Sequence, residues 1–404
     1  MSVSEFEITS QNWPIRKRAE IKTPDFKEGK KWNPFIPEKL FAHIYRWRLI
    51  QRGKKIPAPV LVTVDPTNLC DFDCRFCNAK AVRKRGGSLS RKLLMDLADF
   101  LARWGGFNPE WPYGVEAVSV AGGGEPLLNP HTGEFIERVT QNGIQAGLIT
   151  NGVLLDKYKD AISKCTWVSV SMDAGSSDIH HVLKRTPSIL TFNKIIEGIY
   201  NLVEYSRSHK ETLGSSLPAY GVTYKYLLHP ENIGEVYQAT KLAKDLGCKN
   251  ICFRPASTPI GGKEISFSQS DLDVYHEQMR EAMELDDENF NVYAYTWKVG
   301  PRFEKANCFE KCWAVFMNAQ FSPGPENDTY SLGLCCDRRG EAKLKLVSIS
   351  DTVEQINQMW GSEYHWDIHD SINQKTECPR CTYNLHNQIY EQVIQNDCLT
   401  YRMI

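Results

Sequence analysis

Long apolar runs are missing from this sequence. No stretch approaches the roughly 18 residues of a membrane span, and the opening MSVSEFEITSQNWPIRKRAEIK is polar where a secretory signal is apolar. Membrane association is not expected, and the expected location is cytoplasmic. Charge of one sign is not in excess either. The 48 basic and 49 acidic residues leave a formal net charge of -1, which provides no field to hold a polyanion, so nucleic acid is not the default partner. Repeats and low-complexity tracts are absent too. With 42% hydrophobic and 24% charged residues the chain can bury a large core, which excludes disorder as the main state. Its 404 residues exceed one ordinary core of about 100 to 200 residues, so two domains, or one barrel with an appendage, are expected.

Cysteine, by contrast, is plentiful, with thirteen residues. A disulfide framework normally comes with an even count, a short chain and a signal peptide, so metal ligation for most and plain burial for a few is the better reading. Cys70, Cys74 and Cys77 form one tight group, and Cys308, Cys312, Cys335, Cys336, Cys378, Cys381 and Cys398 lie near the C-terminal end. Only Cys165, Cys248 and Cys252 lie between.

From Pro57 to about Pro259, short β-branched runs alternate with amphipathic stretches, the pattern of βα units on a parallel sheet. Strands are expected at Val60 to Val64, Val115 to Ala121, Gln145 to Thr150, Trp167 to Met172, Tyr220 to Leu227 and Asn250 to Arg254. Helices are expected at Leu89 to Trp104, Glu134 to Gln141, Leu155 to Ser163, Leu190 to Arg207 and Ile233 to Leu246, the last closed by Gly247. Six units fall short of the eight of a closed barrel. The expected fold is α/β, a partial (β/α)6 barrel over 57–265, preceded by an N-terminal extension over 1–56 and followed by a helix and a cysteine-rich unit over 266–404. Leu40 to Leu49 looks like a short aromatic-rich helix that plugs one end of the barrel or docks on its side. Ser268 to Leu285 reads as a helix opened by Ser270 as N-cap with Asp273 in its first turn. The basic cluster Arg75, Lys80, Arg83, Lys84 and Arg85 reads as a solvated face, with a phosphate-bearing substrate as the alternative.

In VDPTNLCDFDCRFCNAK the spacing C-x3-C-x2-C directly follows the first strand, at the end where α/β barrels hold their active sites. Three thiolates on one loop can grip three corners of a cubic [4Fe-4S] cluster and leave one iron open. A zinc site would want a fourth Cys or His nearby, and none follows before Ala98.

With Phe76 before its last cysteine, this motif resembles that of the radical S-adenosylmethionine (SAM) superfamily, in which the open iron chelates the amino and carboxylate groups of SAM. AGGGEP ends the second strand, and its Gly123, Gly124 and Glu125 match the motif that meets the SAM amino group. ITNG ends the third strand with Asn151, and SVSMDAG ends the fourth with Ser171, both placed for a polar contact to SAM or for capping the next helix. Arg185 in HHVLKRT stands where related enzymes hold the SAM carboxylate. Glycines at strand ends also suit a tight turn or a close backbone approach on physical grounds alone.

The C-terminal cysteines resemble the SPASM or twitch extensions of that superfamily. The resemblance implies one auxiliary [4Fe-4S] cluster on Cys312, Cys335, Cys378 and Cys381, with Cys336 competing with Cys335 and Cys308 with Cys312; structural zinc is the rival in a closed four-thiolate cage. The implied activity is reductive cleavage of SAM to a 5'-deoxyadenosyl radical and hydrogen abstraction, with an external flavodoxin- or ferredoxin-type electron donor. A small-molecule substrate (sugar, aminocyclitol or nucleotide-linked precursor) and a net two-electron oxidation of oxidoreductase type are expected. A peptide-modifying maturase and a redox-neutral epimerase or lyase are the alternatives. The N-terminal 55 residues are short for a peptide-leader-binding domain, which favours the small molecule. Arg254, closing the sixth strand in CFRPA, is the candidate catalytic residue; always charged, it suits holding a carboxylate or alkoxide better than acting as a base.

Overall fold

The β-branched runs form strands that bury one face fully and the other in part: Val62, Val64, Val120, Leu148, Val168 and Val170 are all but inaccessible, while β2 and β5 alternate buried with partly exposed residues. Each such side chain contributes about 1.5–3 kcal/mol through burial. The computed structural model describes residues 40, 42–52, 56–105, 114–209, 221–256, 265–294, 309–326, 329–350, 353, 355–378 and 381–396. Its strands are β1 (Leu61–Val64), β2 (Ala117–Val120), β3 (Gln145–Thr150), β4 (Trp167–Ser171), β5 (Val222–Leu228), β6 (Asn250–Pro255), β7 (Asn291–Ala294), β8 (Asn318–Pro323), β9 (Thr329–Gly333) and β10 (Lys345–Ser350). They form one open sheet in the order β10-β9-β8-β1-β2-β3-β4-β5-β6-β7.

β1 to β7 pair in parallel with their neighbours, so their C-terminal ends gather along one rim. The six expected strands are present, with ends displaced by at most two residues. A seventh parallel strand, β7, was not anticipated, and neither was the helix Ser177–Lys184 after β4. The C-terminal segment is no separate sheet. β8 pairs in parallel with β1, and β9 and β10 continue antiparallel from it. This long-range pairing has no local signature.

The helix Arg91–Arg103 turns Leu93, Leu94, Leu97 and Leu101 to the core, and Ser90 Oγ caps it by accepting from Leu93 N at 3.3 Å. The helix Gln269–Met283 starts at Ser268, not at Ser270, because Asp271 lies three residues on. Ser268 Oγ accepts from Asp271 N at 3.1 Å while Asp271 Oδ2 accepts from Ser268 N at 2.8 Å. Asp273 accepts instead from Gln269 Nε2 at 2.9 Å. Gly247 ends the preceding helix with φ of 74°, in the left-handed region that favours glycine.

The aromatic-rich N-terminal helix is Ile44–Gln51, and it docks at the opposite rim. Its fully buried Arg46 donates to the Ala58 carbonyl, to Gly114 O at 3.2 Å and to Glu116 Oε1 at 3.0 Å, all just before β1 or β2. Trp47 meets Tyr390 edge-on with ring centroids 5.1 Å apart, tying both ends of the described chain together.

Candidate active site

The loop carrying Cys70, Cys74 and Cys77 leaves β1 at Asp65, which is fully buried. Asp65 Oδ2 accepts from Gln320 Nε2 and Ser322 Oγ, each at 2.8 Å, and pairs with Arg339 Nε at 3.1 Å. Asn68 Nδ2 donates to Gly86 O at 2.7 Å and Pro323 O at 3.2 Å. These contacts pin the loop to β8 and to the segment after β9. Cys77 N donates to Cys74 O at 3.2 Å, a tight turn that brings the second and third thiols round. Phe76 packs with Leu183 and Ala256 against Cys74, Ile179, Leu227 and Ile265, so this expected cofactor residue acts here as the hydrophobic anchor of the loop.

The glycines of AGGGEP touch that loop directly. Glu125 N donates to Leu69 O at 2.7 Å and Gly124 N to Thr67 O at 3.2 Å. A Cβ on Gly124 would stand 1.9 Å from Leu69 O, and one on Gly123 would stand 2.7 Å from Asn68 Oδ1. Glycine is therefore demanded by loop-on-loop packing. Glu125 is 3% exposed, and its carboxylate accepts from Thr150 Oγ1 at 2.7 Å, Asn151 N at 2.6 Å and Leu127 N at 3.1 Å. Burial pushes its pKa up to about 7, against the pull of those three donors. Asn151 Nδ2 donates to Asp71 Oδ1 at 2.7 Å, and its Oδ1 accepts from Val153 N at 3.1 Å. Expected to meet SAM, Glu125 and Asn151 here bolt the ends of β2 and β3 to the cysteine loop.

Lys184 and Asp173, which sequence reasoning passed over, form a buried ion pair beside the thiols. Asp173, with φ of 56°, also accepts from Leu227 N at 2.6 Å. The Lys184 ammonium lies over the Phe76 ring at 5.7 Å. Burial alone would lower its pKa, but the Asp173 carboxylate holds it above the usual value. The only available signals were adjacency to Arg185 and a place within SMDAG. Arg83, counted in the solvated basic face, hydrogen-bonds Cys77 and feels Cys70; its neighbours do keep to the surface, Arg75 on Glu231 and Lys80 on Asp73. Arg185 donates to Asp73 Oδ2 at 3.0 Å and is half exposed, so its guanidinium is already engaged by a carboxylate of the cysteine loop.

Burial pushes the Cys70 thiol up to about 12 and raises Cys74 as well. Thiolates in this setting need compensating positive charge, which bound iron supplies. Arg83 would offset part of the negative charge of a thiolate-held cluster, and Lys184 would do so only beyond what its pair with Asp173 takes up. Among the described residues no three His, Cys, Asp or Glu side chains converge as ligands of a single ion; a cubic cluster instead sets its ligands apart at separate corners. The donor set fits such a cluster.

Ser171 ends β4 in register with Lys225 of β5, and Lys225 in turn pairs with Cys252 of β6, while Leu227 pairs with Arg254. Lys225 was not singled out from sequence. Burial pushes its ammonium down to about 8, helped by Arg254 and Lys184 and opposed by Asp173.

A second group of thiols is drawn from three segments of the C-terminal third. Cys312 interacts electrostatically with Cys335, Cys378 and Cys381, while Cys336 turns its sulfur to Tyr383 OH at 3.6 Å and towards Arg339 and Asp65. Burial pushes Cys312 up to about 12 and raises Cys335, Cys378 and Cys381. Asn387 Nδ2 donates to Cys312 Sγ at 3.7 Å. Asp337 accepts from Thr382 N at 2.9 Å and Arg338 donates to Glu377 at 2.9 Å, fastening the turn after β9 to the segments of Cys381 and Cys378. Cys308 and Cys398 lie outside the described residues.

Residues 64–243 match the family model of the radical SAM superfamily and form a radical SAM domain. Mycofactocin maturase MftC of Mycobacterium ulcerans is 25% identical over 156 residues, covering 38% of this chain and 40% of that protein. A probable GTP 3',8-cyclase of Saccharolobus islandicus is 24% identical over 208 residues, 51% of this chain and 59% of that one. The matched stretch thus spans only about half the length of these curated relatives. Streptococcus suis SuiB bound to precursor peptide SuiA superposes with a TM-score of 0.57 at 14% identity, over 89% of this chain and 77% of that one. Native anSMEcpe with bound AdoMet gives 0.52 at 15% identity, over 85% and 99%. These likenesses establish the α/β fold. No helix among the described residues is long and apolar enough to cross a membrane.

Proposed function

We propose that this chain, with its radical SAM domain over 64–243, is an enzyme that cleaves SAM reductively and removes hydrogen from a small-molecule C–H bond. The observation that carries the reading is the three-thiol loop at the end of β1, interlocked backbone to backbone with Gly123–Glu125. Cys70, Cys74 and Cys77 would hold a [4Fe-4S] cluster with one iron left without a protein ligand, which would supply the one-electron chemistry of reductive SAM cleavage. The protein's own part is placement. Arg83 balances charge, Phe76 seals one side of the loop, and Glu125 and Asn151 hold the β2 and β3 ends so that the backbone of Gly123 and Gly124 is presented at the rim. Ser171 and Arg254 face the interior, where Arg254 suits a carboxylate or alkoxide of the substrate. Cys312, Cys335, Cys378 and Cys381 would hold one auxiliary [4Fe-4S] cluster, which would accept the electron left on the substrate after hydrogen removal in a net two-electron oxidation; an external flavodoxin- or ferredoxin-type protein would deliver the separate electron that cleaves SAM.

Anaerobically reconstituted protein with a reductant and SAM should release 5'-deoxyadenosine, and replacing Cys70, Cys74 and Cys77 with alanine should abolish the release. Release that survived the triple change would sink the reading. A peptide substrate is the second reading, favoured by the match to a protein named as a maturase over 38% of this chain. The relative named as a GTP cyclase covers 51% and points to a small, anionic substrate instead.

A further inference from the structure

We propose that a small cavity between Arg85 and the outer strands β8 to β10 is a binding site for a phosphate group, with Arg85 and Lys345 supplying charge and Ser331 and Ser348 supplying hydroxyl donors. The site goes beyond the reading above and does not depend on it.

The cavity encloses about 130 Å³, well under the roughly 300 Å³ of a site for a whole drug-sized ligand, so it takes a single group. Its floor is the polar face of the three outer strands. Ser322, Ser331 and Ser348 stand opposite one another across β8, β9 and β10, and residues paired across a sheet project to the same face. By simple alternation Lys345, three residues before Ser348, would point the other way. A bulge between Lys345 and Val347 shifts the register and pairs Lys345 with Gly333, two residues from Ser331, so its side chain joins the serines. A Cβ on Gly333 would meet no atom closer than 3.9 Å, which leaves the space above it open. Phe321, Leu332 and Val347 are buried on the opposite face. Arg85 reaches the cavity from the segment after the cysteine loop. Its Nη1 donates to Gly340 O at 3.3 Å, and a Cβ on Gly340 would stand 3.0 Å from that nitrogen, so glycine there gives the guanidinium room.

The lining has charge of one sign. Among the described residues none of the lining side chains is a carboxylate. Within the same residues no carboxylate pairs with Arg85 or Lys345, and the hydroxyls of Ser331 and Ser348 have no hydrogen-bond partner. Nearby lysines differ, since Lys80 is held by Asp73 and Lys343 by Glu377. The other two hydroxyls on the wall are spent, Thr329 on Glu326 O and Ser322 on Asp65. A cleft lined by one sign of charge concentrates the opposite sign. A phosphate group carries a charge of about -1.5 to -2 and three strong acceptor oxygens, which matches two cations and two free hydroxyls. A carboxylate, with one charge and two oxygens, leaves one cation unbalanced. Of the basic cluster from Arg75 to Arg85, Arg85 is thus the member that suits a phosphate instead of a solvated face.

Calorimetry on the cluster-loaded full chain with saturating SAM tests the site with inorganic phosphate, phenyl phosphate and acetate. Phosphate binding more tightly than the ester would assign the site to the free ion. An ester that binds as well or better would assign it to a phosphate-bearing molecule whose remainder projects from the cavity. Binding of neither overturns the proposal, and so does acetate that matches phosphate. Lys345→Met and Arg85→Met should each weaken the tighter probe by about tenfold or more, the loss of one charge-assisted bond. Lys345→Arg should retain binding, and so should Lys84→Met, at an exposed lysine that does not line the cavity. Unchanged affinity in the first two variants, or an equal loss in Lys84→Met, would refute the site. In the unaltered protein, phosphate should slow acetylation of Lys345 as followed by mass spectrometry; absence of protection refutes the site even where a variant fails to fold.

Discussion

The two cysteine groups are built in opposite ways. Cys70, Cys74 and Cys77 sit on one short loop with cations close by, Arg83 at Cys77 and the Lys184–Asp173 pair at Cys74. Cys312, Cys335, Cys378 and Cys381 are collected from distant segments, with Asp337 near Cys335, Cys378 and Cys381 and the Arg338 guanidinium hydrogen-bonded to Cys378. A local loop brings its thiols together by turn geometry alone and leaves one side for a ligand. A collected group depends on tertiary contacts such as Asp337 to Thr382 and Arg338 to Glu377, and suits a closed site. Burial raises thiols in both groups and an arginine hydrogen-bonds one thiol in each, Arg83 at Cys77 and Arg338 at Cys378, so the difference lies in how the thiols are brought together.

The comparison breaks most sharply at Lys184. Lys184→Met leaves Asp173 buried without its partner, and urea unfolding should show a loss of about 3–5 kcal/mol. Arg338→Met, at a more exposed pair in the second region, should cost only about 1 kcal/mol. Equal losses would mean that the regions are held alike.

Glu125→Ala orphans Thr150 Oγ1, Asn151 N and Leu127 N, and should cost about 2–4 kcal/mol from buried donors left unpaired. Iron bound by the C-terminal group should not change. A variant of full stability with weaker SAM binding would instead make Glu125 a ligand residue.

A smaller effect separates two histidines. Burial pushes both His180, in the first region, and His365, in the second, down to about 3 from 6.5. The unfolded chain then binds the extra protons, so stability is complete above pH 6.5 and falls progressively towards pH 3. Replacing either histidine with phenylalanine should flatten the acid limb of a Tm-against-pH curve. His365 accepts from Gly361 N at 3.0 Å and lies 3.2 Å from Val315 O, so His365→Phe should also lower Tm at neutral pH. Neither ring nitrogen of His180 has a hydrogen-bond partner among the described residues, so His180→Phe should not.

The smallest change is Cys336→Ser. In protein lacking Cys70, Cys74 and Cys77, about four irons per chain should remain if one auxiliary cluster is present. Cys336→Ser should retain them and Cys335→Ser should lose them. The reverse result would give Cys336 the ligand place.

Much of the fold was legible because its signals are local. Val62 and Val64, or Leu93, Leu94 and Leu97, show their burial through spacing alone, and Gly247 marks a helix end. β7 was missed because the four residues Asn291–Ala294 are too short to stand out. The Ser270 cap was misplaced because two serines compete there and only the reciprocal bond to Asp271 chooses between them. Within the site the cysteines and glycines were legible, whereas Lys225, Lys184 and Asp173 were not, since a lysine on a strand or helix shows no sign of what it faces.

By itself the sequence determined the βα succession, the three-thiol loop at the end of β1 and the glycines after β2, because each depends on neighbours a few residues away. Only the tertiary structure decided that β8 joins β1, that Cys335 and not Cys336 faces Cys312, that Glu125 is spent on loop ends, and that Lys225 shares a face with Arg254. The physical reason is common to all four. Pairing partners, desolvation and net local charge are set by residues far apart in the chain, and no short spacing encodes them.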